Sequence, residues 1–324
     1  MSYHIVSIDS PQCSISCRDG QLTCKTSEGE KKLPIEDVAS IIITSFSASI
    51  HSQLIVDAAK HGVALIFCES FKPISLLLPA NRSTDTLLSR AQVSLPDKTR
   101  EQLWQKTVDA KCQNQAALAE YLCGGPRSVV ADADENGRDR ARPSSDTLAL
   151  LRETAHSRKP HKEAACAKMF WGVWGRSAND PNFSRDHASP GLNSLLNYGY
   201  AVLLSTMLQK LFGVGLDPTF GISHMPRERS TPLAYDLMEP FRPCVDWRVH
   251  QWVKQHPDAE TWEVSKEFRK WVTAFPLERV DYLDFTLEIQ GCIEGVVRGF
   301  RRAVVSKQLA MYKPWTPRNS KWAG

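Results

Sequence analysis

Three side chains late in the chain could act on a phosphate. They lie in Gly221–Asp246, G-I-S-H-M-P-R-E-R-S-T-P-L-A-Y-D-L-M-E-P-F-R-P-C-V-D. Asp236 and Glu239 stand three apart, so a helix would carry both carboxylates on one face. His224 sits upstream in a stretch that can fold back over that face. One imidazole and two carboxylates can hold a divalent metal. Arg227, Arg229 and Arg242 flank them, and a metal among arginines suits a phosphate substrate. A plainer reading uses the same residues: a surface or hydrogen-bonded histidine and acids that face solvent. Spacing alone leaves both open.

The elements that must position these groups are legible nearby. Ser230, Thr231 and Pro232 read as a helix start, and the helix should run from Leu233 to Glu239, where Pro240 and Pro243 disturb it. Upstream, Pro190–Leu211 is a strongly apolar helix with Asn193 and Asn197 on one face. A further helix begins near Pro160 as H-K-E-A-A-C-A-K-M-F-W-G-V-W-G. Its Glu163 precedes small residues that let helices approach closely. Read alone, Glu163 is a first-turn glutamate favoured by the helix dipole.

The whole string resembles the catalytic segment of the CRISPR-associated adaptation integrase family (CRISPR-associated protein one), in which a His precedes a D-L-M-E-P-F-R-P helix. The N-x-x-L-N-Y-G-Y-A signature from Asn193 matches as well, and so does the setting of Glu163, with Lys168 and the Phe170-Trp171 pair. The resemblance implies a metal triad of Glu163, His224 and Glu239 binding Mg²⁺ or Mn²⁺, with Asp236 as an auxiliary acid. Glu rather than Asp at 239, with the D-L-M-E-P-F-R-P wording, looks most like the type II branch. The implied activity is a DNA endonuclease and integrase that joins a 3′-hydroxyl to a repeat phosphate and so inserts short fragments into a CRISPR array. The implied partners are double-stranded DNA, a second copy of the chain, and the small CRISPR-associated protein two in a heterohexamer. A stand-alone metal nuclease acting on branched DNA or repair intermediates, and a non-catalytic DNA-binding scaffold, remain as alternatives. The scaffold would require a missing metal ligand, and none is missing.

The first eighty or so residues read as β-rich. Cys13, Ile15 and Cys17 alternate with polar residues, Asp19-Gly20 is a hairpin signal, and Ala39–Thr44 is an Ile-rich buried strand. A small antiparallel sandwich with one helix fits, although His51–Cys68 also reads as strand–helix–strand. From Thr84 the period turns helical: Thr84–Leu95, Lys98–Cys123, Ser145–Ala155, Trp247–His256, Glu260–Phe275 and Asp284–Met311, with a polar connector over Arg127–Ser145. The expected fold is therefore α+β, a β-sandwich-like dimerisation domain over 1–83 and a larger all-α catalytic domain over 84–324. The low charge near Ile41–Ser49 suggests that the first domain forms the dimer.

At 324 residues, 42% hydrophobic and 23% charged, the chain is an ordinary globular one with room for two cores. A net charge of +4 permits nucleic-acid binding without demanding it. No Asp or Glu occurs between Gly295 and Gly324, and Arg298, Arg301 and Arg302 cluster there as candidate DNA contacts. Nine cysteines without a C-x-x-C pair argue against structural zinc and for reduced thiols in the cytoplasm. No apolar run is long enough to span a membrane.

Overall fold

The computed structural model describes residues 4–45, 47–69, 72–77, 86–124, 145–224, 231–258, 262–318 and 322. The polar connector, apart from Ser145, and the expected boundary at residues 83 and 84 lie outside this set. So do Arg227 and Arg229.

Two four-stranded sheets build the N-terminal part. The first contains β2 (Ser14–Arg18), β3 (Gln21–Thr26), β4 (Gly29–Pro34) and β6 (Ser49–Ile50), in the order β4-β3-β2-β6. β2 and β3 pair antiparallel, with Ile15 opposite Cys24 and Cys17 opposite Leu22. Their two-residue turn has positive φ at both Asp19 (50°) and Gly20 (72°), as a type I′ hairpin requires. The alternation read from the sequence holds: Ile15 and Cys17 are fully buried.

The second sheet orders β1 (His4–Ile8), β5 (Val38–Ile43), β7 (Ala64–Glu69) and β8 (Lys72–Leu77) as β1-β5-β7-β8. Here β1, β5 and β7 run parallel, and only β8 is antiparallel. Helix α1 (Ser52–Lys60) lies in the connection from β5 to β7. The antiparallel reading thus holds for β2, β3 and β4, to which β6 adds parallel on β2, whereas the strand–helix–strand reading describes the other sheet. The cause is burial on both faces. Ile41, Ile43 and Leu65 enter the small N-terminal core, while Ile42, Ile66 and Cys68 join the core of the helical region. A strand covered on both sides reads as a continuous apolar run rather than an alternating one. Ile41–Ile43 are therefore interior and do not form a dimer surface. The exposed apolar side chains of this region include Ile55, Val56 and Leu77.

The helical region comprises α2 (Thr86–Val93), α3 (Asp97–Leu122), α4 (Ser145–His156), α5 (Lys162–Ser177), α6 (Leu192–Gly213), α7 (Pro232–Met238), α8 (Arg242–Gln255), α9 (Lys266–Thr273) and α10 (Ile289–Ser306). α6 runs through the centre, packed by α7, α8, α9, α10 and the second sheet, which explains its unbroken apolar string. Close approach to α8 needs Gly199: a Cβ there would lie 2.5 Å from Val245 Cγ1. The region is not all-α. β9 (Arg279–Tyr282) and β10 (Phe285–Glu288) form a hairpin where a continuous helix from Asp284 was expected. Its turn places Leu283 at φ 52°, a conformation that Gly usually supplies, so the usual turn signal was missing. Among the described residues no helix is long and apolar enough to cross a membrane.

Candidate active site

α7 is a two-turn helix with Pro232 in its first turn. It ends at Met238, just ahead of Pro240, close to where the prolines were expected to disturb it. A single 3₁₀ turn over Glu239–Phe241 re-aims the chain into α8. The Pro240 carbonyl is taken up by Asn114 Nδ2 of α3 at 2.7 Å. That bond fixes the turn carrying Glu239 against α3.

The buried Glu239 then meets Glu163 across one cation. Lys111 Nζ on α3 lies 2.6 Å from Glu163 Oε1 and 2.6 Å from Glu239 Oε2. The two carboxylate oxygens are therefore no farther apart than twice that contact. The Lys111–Glu239 contact lies outside hydrogen-bonding angles and is ionic. Arg242 Nε stands 2.9 Å from the other Glu239 oxygen, and its guanidinium lies 4.8 Å from the centre of the Tyr200 ring. Burial would raise the Glu239 pKa, but Arg242 and Lys111 outweigh it and hold the group below its ordinary value. Burial likewise works against the Lys111 charge, and Glu239 and Glu163 restore it to a pKa above the usual lysine value.

Asp236, the expected auxiliary acid, sits behind the imidazole. It is fully buried and accepts four bonds: from the backbone N–H of Ile222 (2.6 Å), Ser223 (3.1 Å) and His224 (3.0 Å), and from His224 Nδ1 (2.6 Å). It folds the His224 loop onto α7 and holds the imidazole by one nitrogen, which turns Nε2 outward. A carboxylate behind a histidine in this way sets the tautomer and basicity of a metal-binding imidazole. The Asp236 bond raises the His224 pKa, ahead of the opposing effect of burial. Trp104 of α3 packs edge-on against the imidazole, ring centres 5.7 Å apart. Trp104 also lines a cleft of about 320 Å³ that reaches Glu163, with Arg158, Lys159 and His161 along it.

The donor set can be tested against a metal on these contacts. Two carboxylate oxygens already converge on one cationic atom, and His224 offers Nε2. Hard oxygens with one imidazole fit Mg²⁺ or Mn²⁺. Among the described residues, however, no three His, Cys, Asp or Glu side chains surround a common point closely enough to hold an ion. Glu163 and Glu239 meet at the ammonium, and His224 stands apart from that point.

The family model for CRISPR associated protein Cas1 matches residues 6–270. The chain belongs to the Cas1 family. It is 31% identical over 240 residues to the CRISPR-associated endonuclease Cas1 of Neisseria meningitidis serogroup C (strain 8013), across 72% of this chain and 71% of that protein. Its fold is similar to that of a casposase bound to integration product, with TM-score 0.73, 21% identity, and 94% and 92% of the two chains covered. It is also similar to a Cas6-RT-Cas1–Cas2 complex, with TM-score 0.69 and 15% identity, over 97% of this chain and 36% of that one.

In this chain the asparagine signature has a visible task. Asn193 and Asn197 accept from Arg185 at 2.7 and 2.6 Å, and Arg185 lies 5.4 Å from the centre of the Tyr200 ring. The Tyr200 hydroxyl donates to Asp246, whose carboxyl burial pushes up to about 7. A polar network, buried at Asn193, Tyr200 and Asp246 and half-buried at Arg185 and Asn197, thus backs Arg242. Of the arginines proposed for DNA, Arg242 is committed inside the site. Arg298 is paired with Glu294 at 2.7 Å, and Arg302 is exposed. Lys111 was missed as a site residue. Its signal was a lysine in a helical stretch, A-K-C-Q-N-Q-A, whose Cys112, Asn114 and Gln115 are buried and which therefore had to give the charge a partner.

Proposed function

We propose that the protein is a metal-dependent DNA integrase and endonuclease that inserts short DNA fragments into a CRISPR array by attack of a 3′-hydroxyl on a repeat phosphate. One observation carries this reading. In a chain of the Cas1 family, carboxylates from α5 and from the turn after α7 converge on a single cation, and a histidine on the loop before α7 is anchored through Nδ1 with Nε2 left over. Glu163, Glu239 and His224 Nε2 would hold Mg²⁺ or Mn²⁺. Such an ion supplies Lewis-acid stabilisation of the charge that develops on the scissile phosphate.

The chain's own residues do the positioning. Asp236 presents Nε2 of His224 by holding Nδ1. Arg242, braced on Tyr200, keeps Glu239 ionised in a buried place. Hydrolysis and strand transfer are both in-line displacements with the same electrostatic demand, so the way DNA is held selects between them. Arg302 and Arg301, with Arg298 once freed from Glu294, are proposed to contact DNA backbone along α10.

The endonuclease name of the Neisseria relative and the integration product held by the casposase support phosphoryl transfer on DNA. The Cas1–Cas2 complex supports a Cas2-like companion; the assembly proposed for the two is a heterohexamer of integrase homodimers bridged by that companion. The string Asp236–Pro243 favours the type II branch. The test is an integration assay with a short duplex bearing free 3′-hydroxyls, a supercoiled repeat plasmid, Mn²⁺ or Mg²⁺, and the companion present or absent. The expected result is joined product that Glu163→Gln and Glu239→Gln each remove. Cleavage of branched DNA with no joining under any condition would establish the stand-alone nuclease instead.

A further inference from the structure

We propose that Lys111 is a positioning residue of the active site: its ammonium holds the Glu163 and Glu239 carboxylates together while no metal is bound, and gives up its place between them when a divalent cation enters. The inference rests on the metal-dependent reading above and adds a residue and a competition to it.

The geometry is a three-element junction. Lys111 comes from α3, Glu163 from the first turn of α5, and Glu239 from the 3₁₀ turn after α7. One nitrogen, 2.6 Å from an oxygen of each glutamate, ties them together. The Lys111 and Glu239 side chains are only 13% and 5% exposed, so that half of the tie is shielded from water, while Glu163 is 34% exposed. Without it, two carboxylates would face each other in a poorly solvated place, and like charges at that range repel strongly.

Charge makes the lysine a competitor as well as a tie. Lys111 and Arg242 balance Glu163 and Glu239, so the site is neutral before any metal arrives. A divalent cation that took both carboxylates would crowd an ammonium already in contact with them. One of the two cations must withdraw. Arg242 is anchored on Tyr200, and both Asn114 bonds hold the surrounding backbone, so Lys111 is the cation free to move.

A neighbouring lysine shows the contrast. Lys162 Nζ bonds the carbonyls of Ala155 (3.1 Å) and Ser157 (2.8 Å) as well as the Asp109 carboxylate. It is built into the α4–α5 turn. The contacts of Lys111 are instead the two glutamates.

The experiment compares EDTA-treated wild type, Lys111→Met and Lys162→Met by Mn²⁺ titration followed by electron paramagnetic resonance, and by thermal melting. With the competitor removed, Lys111→Met should bind Mn²⁺ about threefold or more tighter than wild type, because the apparent affinity rises with the fraction of sites that are open. Its metal-free form should melt lower, and Mn²⁺ should raise its melting temperature by more than it raises that of wild type. Lys162→Met removes the same charge nearby and should leave Mn²⁺ affinity within about twofold. Unchanged or weaker Mn²⁺ binding by Lys111→Met overturns the proposal, as does an equal gain in Lys162→Met.

A second measurement works on wild type even if Lys111→Met fails to fold. The ¹H–¹⁵N signal of the Lys111 ammonium, assigned by its loss in Lys111→Arg, should shift on saturation with Mg²⁺, and a signal that stays in place refutes displacement. The two readings fail separately. If Glu163→Gln does not alter Mn²⁺ binding by wild type, the metal site itself is wrong. If it does, and Lys111→Met binds no tighter, only the role of Lys111 falls.

Discussion

Asp236→Asn probes the device that presents His224. The substitution keeps the shape of the side chain and removes its charge and one acceptor. Four donors converge on the carboxylate: His224 N–H and Nδ1 on one oxygen, and the N–H groups of Ile222 and Ser223 on the other. An amide offers one carbonyl oxygen and one NH₂. With its NH₂ toward Ile222 and Ser223, two N–H groups face a donor; turned the other way, the His224 N–H faces a donor and Nδ1 must become an acceptor. Hydrogen bonds to a charged group contribute about 1.5–3 kcal/mol each, so losing one or two costs about 1.5 to 3 kcal/mol at the lower end. Asp236 and Ile222 are buried, so water does not replace the bond between them, whereas Ser223 and His224 are exposed. The loss should appear in urea denaturation of the metal-free protein, where it is a large share of a typical stability of roughly 5–15 kcal/mol. The released imidazole should also lower Mn²⁺ affinity about 10- to 100-fold, as expected when a supporting carboxylate behind a metal ligand is removed. If Asp236 ligated the metal directly, Asp236→Asn would weaken Mn²⁺ binding and leave metal-free stability alone. A metal-free protein that unfolds at the wild-type urea concentration would therefore refute the positioning role.

Other expectations follow from particular contacts. His250 is buried, with Nε2 2.8 Å from Ser177 Oγ, and burial depresses its pKa to about 4. Its folded value lies below the unfolded one near 6.5, so its contribution is complete above about pH 6.5 and is lost as pH falls toward 4, by up to about 3 kcal/mol. Denaturation across that range should show the decline, and His250→Gln should flatten it; an equal slope in the variant would remove His250 from the account. Gly199→Ala should cost about 1–3 kcal/mol by overpacking α6 against Val245, and an unchanged melting temperature would mean that α8 can yield there. Replacing Arg298, Arg301 and Arg302 with Gln should weaken binding to DNA of any sequence and flatten the log-affinity against log-salt slope by about one unit per lost phosphate contact. An unchanged slope would leave DNA holding to other residues.

Local features were legible in the sequence because their causes are local. Asp19-Gly20 sets its own turn through two positive φ angles. The apolar string of α6 marks a helix buried on every side, and Pro232 opens α7. The residue string around His224, Asp236 and Glu239, and the setting of Glu163, pointed to the family that the chain belongs to. The partners of these residues were not legible. Lys111 lies 52 positions before Glu163, and Asn114 lies 126 before the carbonyl it holds. Nothing in their immediate neighbours specifies that α3 will cross both α5 and the turn after α7. The same limit explains Asp236, which spacing places on a face with Glu239 but whose role depends on the loop at Ile222–His224 folding over it. It also explains Ile41–Ile43, whose apolar run is equally compatible with an interface and with an interior strand. Composition and periodicity determine which residues prefer to be buried and which could carry charge. Only the packing of α3, α5, α6 and α7 decides which charge each buried group must meet, because the balance between desolvation and Coulomb attraction is set by neighbours distant in the chain.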